Sequence, residues 1–323
     1  MSLRISLEQI LAAEKTIAPY VARTPSVWSA GLSAYLGRRT ALKLENLQRS
    51  GCFKPRGIVN KILSLSDEER AKGLVTVSGG NHGIAIANIA RAMGIEATVV
   101  MPESAPARSK ELVRAEGTTL IVAPDVSAAF AIAEEKRQAG LTYIHGYDDP
   151  AIIAGHGTAG LELLRDVPEL TDVVVSIGGG GLISGVATAM KALRPDLRIW
   201  GVETEGADTM SRALAEGRPV SIKPSSIATT LGPPAVTERT LLHVKALVEH
   251  VFVVSDAEAV EGMLTLAEQA KVWVEPAAGC LVPAAQKVIA RAGSDSVLGL
   301  IVCGGNATFR DVRQWVERFG KSP

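Results

Sequence analysis

One stretch constrains this chain more than any other: Val173-Val-Val-Ser-Ile-Gly-Gly-Gly-Gly181, an apolar run ending in four glycines. A buried strand that delivers glycines straight to a helix start belongs in a parallel sheet flanked by helices. Glycine lets backbone N–H groups converge on one point, and the helix terminus adds partial positive charge. The turn therefore forms a cup suited to a phosphate. A plain tight turn is one alternative. A nicotinamide dinucleotide site is another: Gly179-x-Gly181-x-x-x-Gly185 is a variant spacing, and Glu203 closes the next strand where a ribose-binding acid would lie. Counted from Gly178, the strict G-x-G-x-x-G form fails at Ile183.

The same strand–turn–helix unit recurs. A helix capped by Ser6 and ending near Pro19, and a second ending near Gly37, precede a strand at 41–45 and a helix at 55–64. Residues 23–26 read as an extended linker. Strands at 74–77, 97–101, 119–122 and 142–145 alternate with helices through Ile84, at 106–116 and at 126–138. After a helix at 150–165 come strands at 172–177, 198–203, 250–254 and 297–303. Helices are expected at 182–193, 208–215, 256–270 and 276–292, with a last one ending at Phe319. Residues 219–234, rich in Pro, Ser and Thr, read as a connection. The pattern predicts an α/β architecture of parallel sheets with right-handed crossovers. A small unit at 72–149 is inserted in a large one formed by 1–71 and 150–323.

Three more polar turns fall at strand ends, where ligands bind in parallel sheets. Ser50-Gly-Cys-Phe-Lys-Pro-Arg-Gly57 puts Lys54 between a strand and a helix that opens on Pro55. Ser78-Gly-Gly-Asn-His-Gly83 offers a hydroxyl, an amide and free N–H groups, suited to a carboxylate and a phenolic oxygen. Cys303-Gly-Gly-Asn306 closes an apolar strand. Taken singly, each has a bland reading: a surface lysine, a capped helix start, a buried structural cysteine. Together, a lysine, a phosphate cup, a carboxylate loop and a polar strand end are what pyridoxal 5′-phosphate requires.

Over nearly its whole length the sequence resembles the fold-type II pyridoxal-phosphate enzymes, which have a tryptophan synthase β-like fold. Within them it is most similar to the threonine/serine dehydratase and serine racemase family. The resemblance rests on Lys43-Leu-Glu-Asn-Leu-Gln48, Phe53-Lys-x-Arg-Gly57, Ser78-Gly-Gly-Asn-His-Gly83, Ile153-Ala-Gly-His-Gly-Thr158, the four glycines, Glu275-Pro276 and Cys303-Gly-Gly-Asn306. It implies that Lys54 carries the cofactor and removes the Cα proton, and that Phe53 flanks the ring. Gly178, Gly179, Gly180, Gly181 and Leu182 would hold the phosphate. Asn81 would meet the phenolic oxygen, Cys303 the pyridine nitrogen, and Ser78, Gly79, Gly80, Asn81 and His82 the substrate. The implied reaction is α,β-elimination of water from L-threonine or L-serine, giving a 2-oxo acid and ammonia. Dehydration of another 3-hydroxy amino acid or racemisation of serine are the alternatives.

Departures from the family bear on that choice. Family racemases carry a serine before the Gly-Asn pair as acid/base for the opposite face; here Gly79 stands there. Cys52 replaces a serine, His156 a common glutamine, and Thr229-Thr230 a frequent Asp-Gly. Relatives that bind a divalent cation use two acids and a carbonyl. Glu203 and Ala207 match two of these places but Thr209 stands at the third, so no metal is expected.

Composition narrows the partners. Lys plus Arg equals Asp plus Glu at 34 each, which disfavours nucleic acid or an anionic membrane. Cys52, Cys280 and Cys303 have no metal-type spacing, and an odd count suits a reducing compartment. The uncharged run 173–190 approaches membrane-spanning length, but its glycines favour strand, loop and helix. No signal peptide is evident, so a cytoplasmic protein is expected. A homodimer is implied by the resemblance.

Overall fold

The structure is a computed structural model describing residues 4–293 and 295–320. The outermost residues of the expected large unit, 1–3 and 321–323, lie outside the described residues. Among the described residues ten strands form two sheets. They are β1 Ser26–Trp28, β2 Thr40–Leu44, β3 Leu74–Val77, β4 Ala97–Pro102, β5 Thr119–Ala123, β6 Thr142–Tyr143, β7 Asp172–Ser176, β8 Arg198–Thr204, β9 His250–Val254 and β10 Leu298–Val302. One sheet runs β1-β2-β10-β7-β8-β9, the other β5-β4-β3-β6. Every pairing is parallel except β1 with β2. The expected linker at 23–26 thus ends in a three-residue antiparallel edge strand, too short to show a period.

Buried strands explain the parallel order. Strands β2, β7 and β10 are buried along their whole length and pack helices on both faces. The order brings β2, β10 and β7 side by side. Their carboxyl ends deliver the Lys54 stretch, Cys303 and the glycine run to one place. Sequence-distant β2 and β10 pair in register from Thr40–Leu298 to Leu44–Val302. Beyond the strands, Phe53 N donates to Cys303 O at 3.0 Å and Gly305 N to Gly51 O at 2.9 Å.

Helix Pro150–Asp166 braces this region. It meets helix Gly181–Leu193 at almost backbone contact: a Cβ on Gly185 would stand 2.3 Å from Ile153 O and 2.6 Å from Gly157 N. Only glycine permits that approach.

Four helical expectations need revision. Helix Glu238–Leu247, capped by Thr237, occupies a stretch with no expected element. Helix Asp67–Ala71 is likewise additional, with Ser66 and Glu69 forming a capping box. The expected helix at 256–270 turns into a π turn at Leu266–Ala270 and stops on Lys271 at φ 60. The chain then runs extended and drops Glu275 into the site. The expected helix at 276–292 breaks at Cys280, because Pro283 has no N–H for the Gly279 carbonyl. Among the described residues no helix is long and apolar enough to cross a membrane, and 173–190 is strand, turn and helix.

Candidate active site

A cavity of about 480 Å³, open to solvent, lies at the carboxyl ends of β2, β10 and β7 and faces the second sheet. Phe53, Lys54, Asn81, Gly178 to Leu182 and Cys303 line it, together with Tyr147, Ser176, Thr230, Leu231, Glu275 and Ala277.

Lys54 stands at the end of the β2 connection, immediately before helix Pro55–Ser64. Its Nζ donates to Gly146 O at 2.7 Å and lies 5.0 Å from the Phe53 ring centroid. Burial pulls the ammonium down to about 8, opposed only weakly by the Cys52 and Cys303 thiols. Near neutral pH a usable share of this amine is therefore an uncharged base and nucleophile. One turn on, a buried charge cluster anchors the helix. Arg56 Nε and Nη2 donate to Glu45 Oε2 and Oε1 at 2.7 and 2.8 Å. Its Nη1 and Nη2 donate to Glu162 Oε1 and Oε2, both at 2.7 Å. Burial works against the Glu45 charge, yet the Arg56 guanidinium holds that carboxyl below its usual range.

The glycine run opens helix Gly181–Leu193, with Gly180 at φ 87. The first N–H groups of a helix have no acceptor within it and point out of its end. At Gly179 a Cβ would stand 2.2 Å from Tyr147 Cγ, so any side chain there would collide with the ring that lines the cup. Cys303 lines the cavity beside Ser176, and burial raises its thiol well above the usual value. It presents a protonated, neutral group. The cup, the low-lying lysine amine and the neutral thiol fit pyridoxal phosphate.

Of loop 78–82 only Asn81 lines the cavity. Its Nδ2 donates to Glu275 Oε1 at 2.7 Å, and its Oδ1 accepts from Asn306 Nδ2 at 2.8 Å. Ser78 Oγ stays local, accepting from Gly80 N at 3.2 Å. His82 lies in helix Asn81–Met93, with Nε2 3.4 Å from Ile144 O, and does not line the cavity. The loop is also shorter than expected, since the helix begins at Asn81.

Sequence reading assigned no role to Glu275, Tyr147, Ser176 or Thr230. Glu275 could have been found from the Glu-Pro step that opens its helix, and Ser176 from its place before the glycines. Tyr147 has no local signal. Glu203 is buried, and both its oxygens accept backbone N–H groups, from Met210 at 2.7 Å and Ser211 at 2.8 Å. That commitment removes it as the ribose-binding acid of a nicotinamide site.

Strand-end lysine, helix-terminal glycine cup and neutral thiol around one cavity describe a fold-type II pyridoxal-phosphate enzyme. Residues 17–304 match the family described as "Pyridoxal-phosphate dependent enzyme", and the chain belongs to it. It is 38% identical over 306 residues to the L-threonine ammonia-lyase of Thermotoga maritima, covering 94% of this chain and 76% of that protein. Maize serine racemase superposes with a TM-score of 0.91 at 36% identity, covering 97% of each chain. The processed form of threonine deaminase isoform 2 from Solanum lycopersicum superposes with a TM-score of 0.90 at 30% identity, covering 96% of this chain and 86% of that one.

Proposed function

We propose that this enzyme dehydrates L-threonine or L-serine, releasing a 2-oxo acid and ammonia. When bound, pyridoxal phosphate supplies the electron sink that makes the substrate Cα proton removable. The chain's residues do the rest. Lys54 would hold the cofactor, and its amine would take the Cα proton. Gly178 to Gly181 and Leu182 hold the phosphate on the helix terminus. Phe53 flanks the ring and Asn81 meets the phenolic oxygen. N–H groups of residues 78–82 receive the substrate carboxylate. Cys303 faces the pyridine nitrogen. A neutral thiol there would not hold that nitrogen protonated as a carboxylate would, a setting that suits elimination of a β-hydroxyl.

Gly79 carries the choice between dehydration and racemisation. Inverting Cα requires a proton donor on the face opposite Lys54. A Cβ at Gly79 would find its nearest neighbour, Ala105 Cβ, at 3.6 Å, so the site has room for a side chain it lacks. Purified enzyme given L-serine is expected to form oxo acid with little D-serine. Gly79→Ser is expected to raise the ratio of D-serine to oxo acid about tenfold or more, within the range of a positioned acid/base. Chiral chromatography of the products checks both, and abundant D-serine from the wild type would contradict the assignment. Racemisation is the second reading, favoured by the similarity to maize serine racemase.

The division into 1–71 with 150–323 and a mobile unit at 72–149 is supported by the two sheets, since β3 to β6 all fall in the second segment. Closure of that unit over substrate would exclude water. A homodimer in the cytoplasm completes the proposal; three free buried cysteines suit a reducing compartment.

A further inference from the structure

The short 3-10 turn Thr229–Leu231 touches both halves of the cavity. Thr230 O and Leu231 Cα each stand 3.2 Å from where a Cβ on Gly178 would be, against the glycine cup. On the other side, Thr230 Cγ2 stands 3.1 Å from the Cβ position of Gly80, and nothing else lies within 4 Å of that point. The methyl group thus closes on the loop at Gly80.

Its orientation is fixed by the other branch of the side chain. Thr230 Oγ1 donates to Glu275 Oε1 at 2.9 Å. The same carboxylate accepts from Asn81 Nδ2 at 2.7 Å, and its second oxygen accepts from Asn306 N at 3.1 Å. Glu275 is buried, so these donors are its means of staying satisfied. A β-branched side chain with its hydroxyl tied down has no freedom left to move its methyl. Relatives with Asp-Gly at this turn have neither group there.

We propose that the Thr230 methyl, aimed at Gly80 by the hydroxyl's bond to Glu275, sets the upper size of the substrate side chain. This rests on the reading that loop 78–82 receives the substrate carboxylate. With the carboxylate there and Cα within reach of Lys54, the side chain points at the place where the Thr230 methyl closes on Gly80. A hydroxymethyl or hydroxyethyl group stops short of the methyl; a branched or aromatic 3-hydroxy amino acid meets it.

Two near-isosteric variants separate the two branches in the holoenzyme. Thr230→Ser keeps the hydroxyl and removes the methyl, whereas Thr230→Val keeps a methyl and removes the hydroxyl. The measurement is kcat/KM for L-serine and for 3-phenyl-L-serine. Thr230→Ser is expected to raise the ratio of phenylserine to serine about tenfold or more, the scale of one methyl group in a close-fitting site. Thr230→Val is expected to leave that ratio low. An unchanged ratio in Thr230→Ser would overturn the proposal. Calorimetric binding of L-alanine and L-phenylalanine, which have no hydroxyl to lose, isolates the steric claim from the reaction. Tighter phenylalanine binding relative to alanine in Thr230→Ser supports the size limit even if no hydroxy amino acid yields oxo acid. That absence of product from the wild type would instead overturn the dehydratase reading.

Discussion

Lys54→Ala is expected to abolish oxo acid formation and the visible absorbance of lysine-bound cofactor together. A positioned base alone contributes on the order of 10² to 10⁴ in rate, and here the covalent anchor goes with it. The geometry supports so large an effect. Lys54 lines the cavity between Phe53 and the glycine cup, and burial lowers its ammonium to about 8. At pH 7 roughly a tenth of the free amine is then neutral, compared with well under a thousandth for an ordinary lysine. The fold is expected to survive the change. Lys54 Nζ donates to the Gly146 carbonyl and takes part in no buried ion pair among the described residues. An unaltered thermal transition of the apoprotein would confirm that chemistry, and not folding, was removed. Appreciable turnover in Lys54→Ala would show that another group is the base.

Arg56→Met is expected to cost about 3–5 kcal/mol of stability, the range for removing one partner of a buried ion pair. The guanidinium is fully buried and makes paired bonds to both Glu45 and Glu162. Without it the Glu45 carboxylate loses the charge that offsets its burial. Lys43, also buried, stays bonded to Glu162, so Glu45 keeps the Thr24 hydroxyl and the more distant Lys43 charge but loses its directly paired cation. Urea denaturation measures the loss; a change below about 1 kcal/mol would mean that the cluster relaxes around the gap. Arg56 lies two residues from Lys54, so cofactor retention should fall along with stability.

Much of this arrangement was legible in the sequence. Strands before glycine-rich turns announce themselves, because an apolar run that stops at Gly178 or at Gly304 has few other uses. Lys54 was locatable from Pro55, which fixes the helix start. Less visible were features decided by tertiary contact. Strand β1 is three residues long and exists because β2 offers it an edge. Helix Glu238–Leu247 is short and has a modest apolar face, and its Thr240 packs against Gly180 from a distant part of the chain. Glu275 reaches the cavity only because the π turn at Leu266–Ala270 and the left-handed Lys271 redirect the backbone. The His82 side chain was less legible for the opposite reason. A histidine in a polar turn invites a substrate role, but helix Asn81–Met93 begins one residue earlier and turns the ring toward Ile144.

The most direct test of the central claim is the visible spectrum of the purified enzyme, recorded while L-threonine and L-serine are added and 2-oxo acid is assayed. The expected result is a lysine-bound cofactor band that shifts on substrate addition, with oxo acid released in step. A band that shifts without releasing oxo acid from either amino acid would contradict the dehydratase assignment. No band after incubation with pyridoxal phosphate would contradict the site itself.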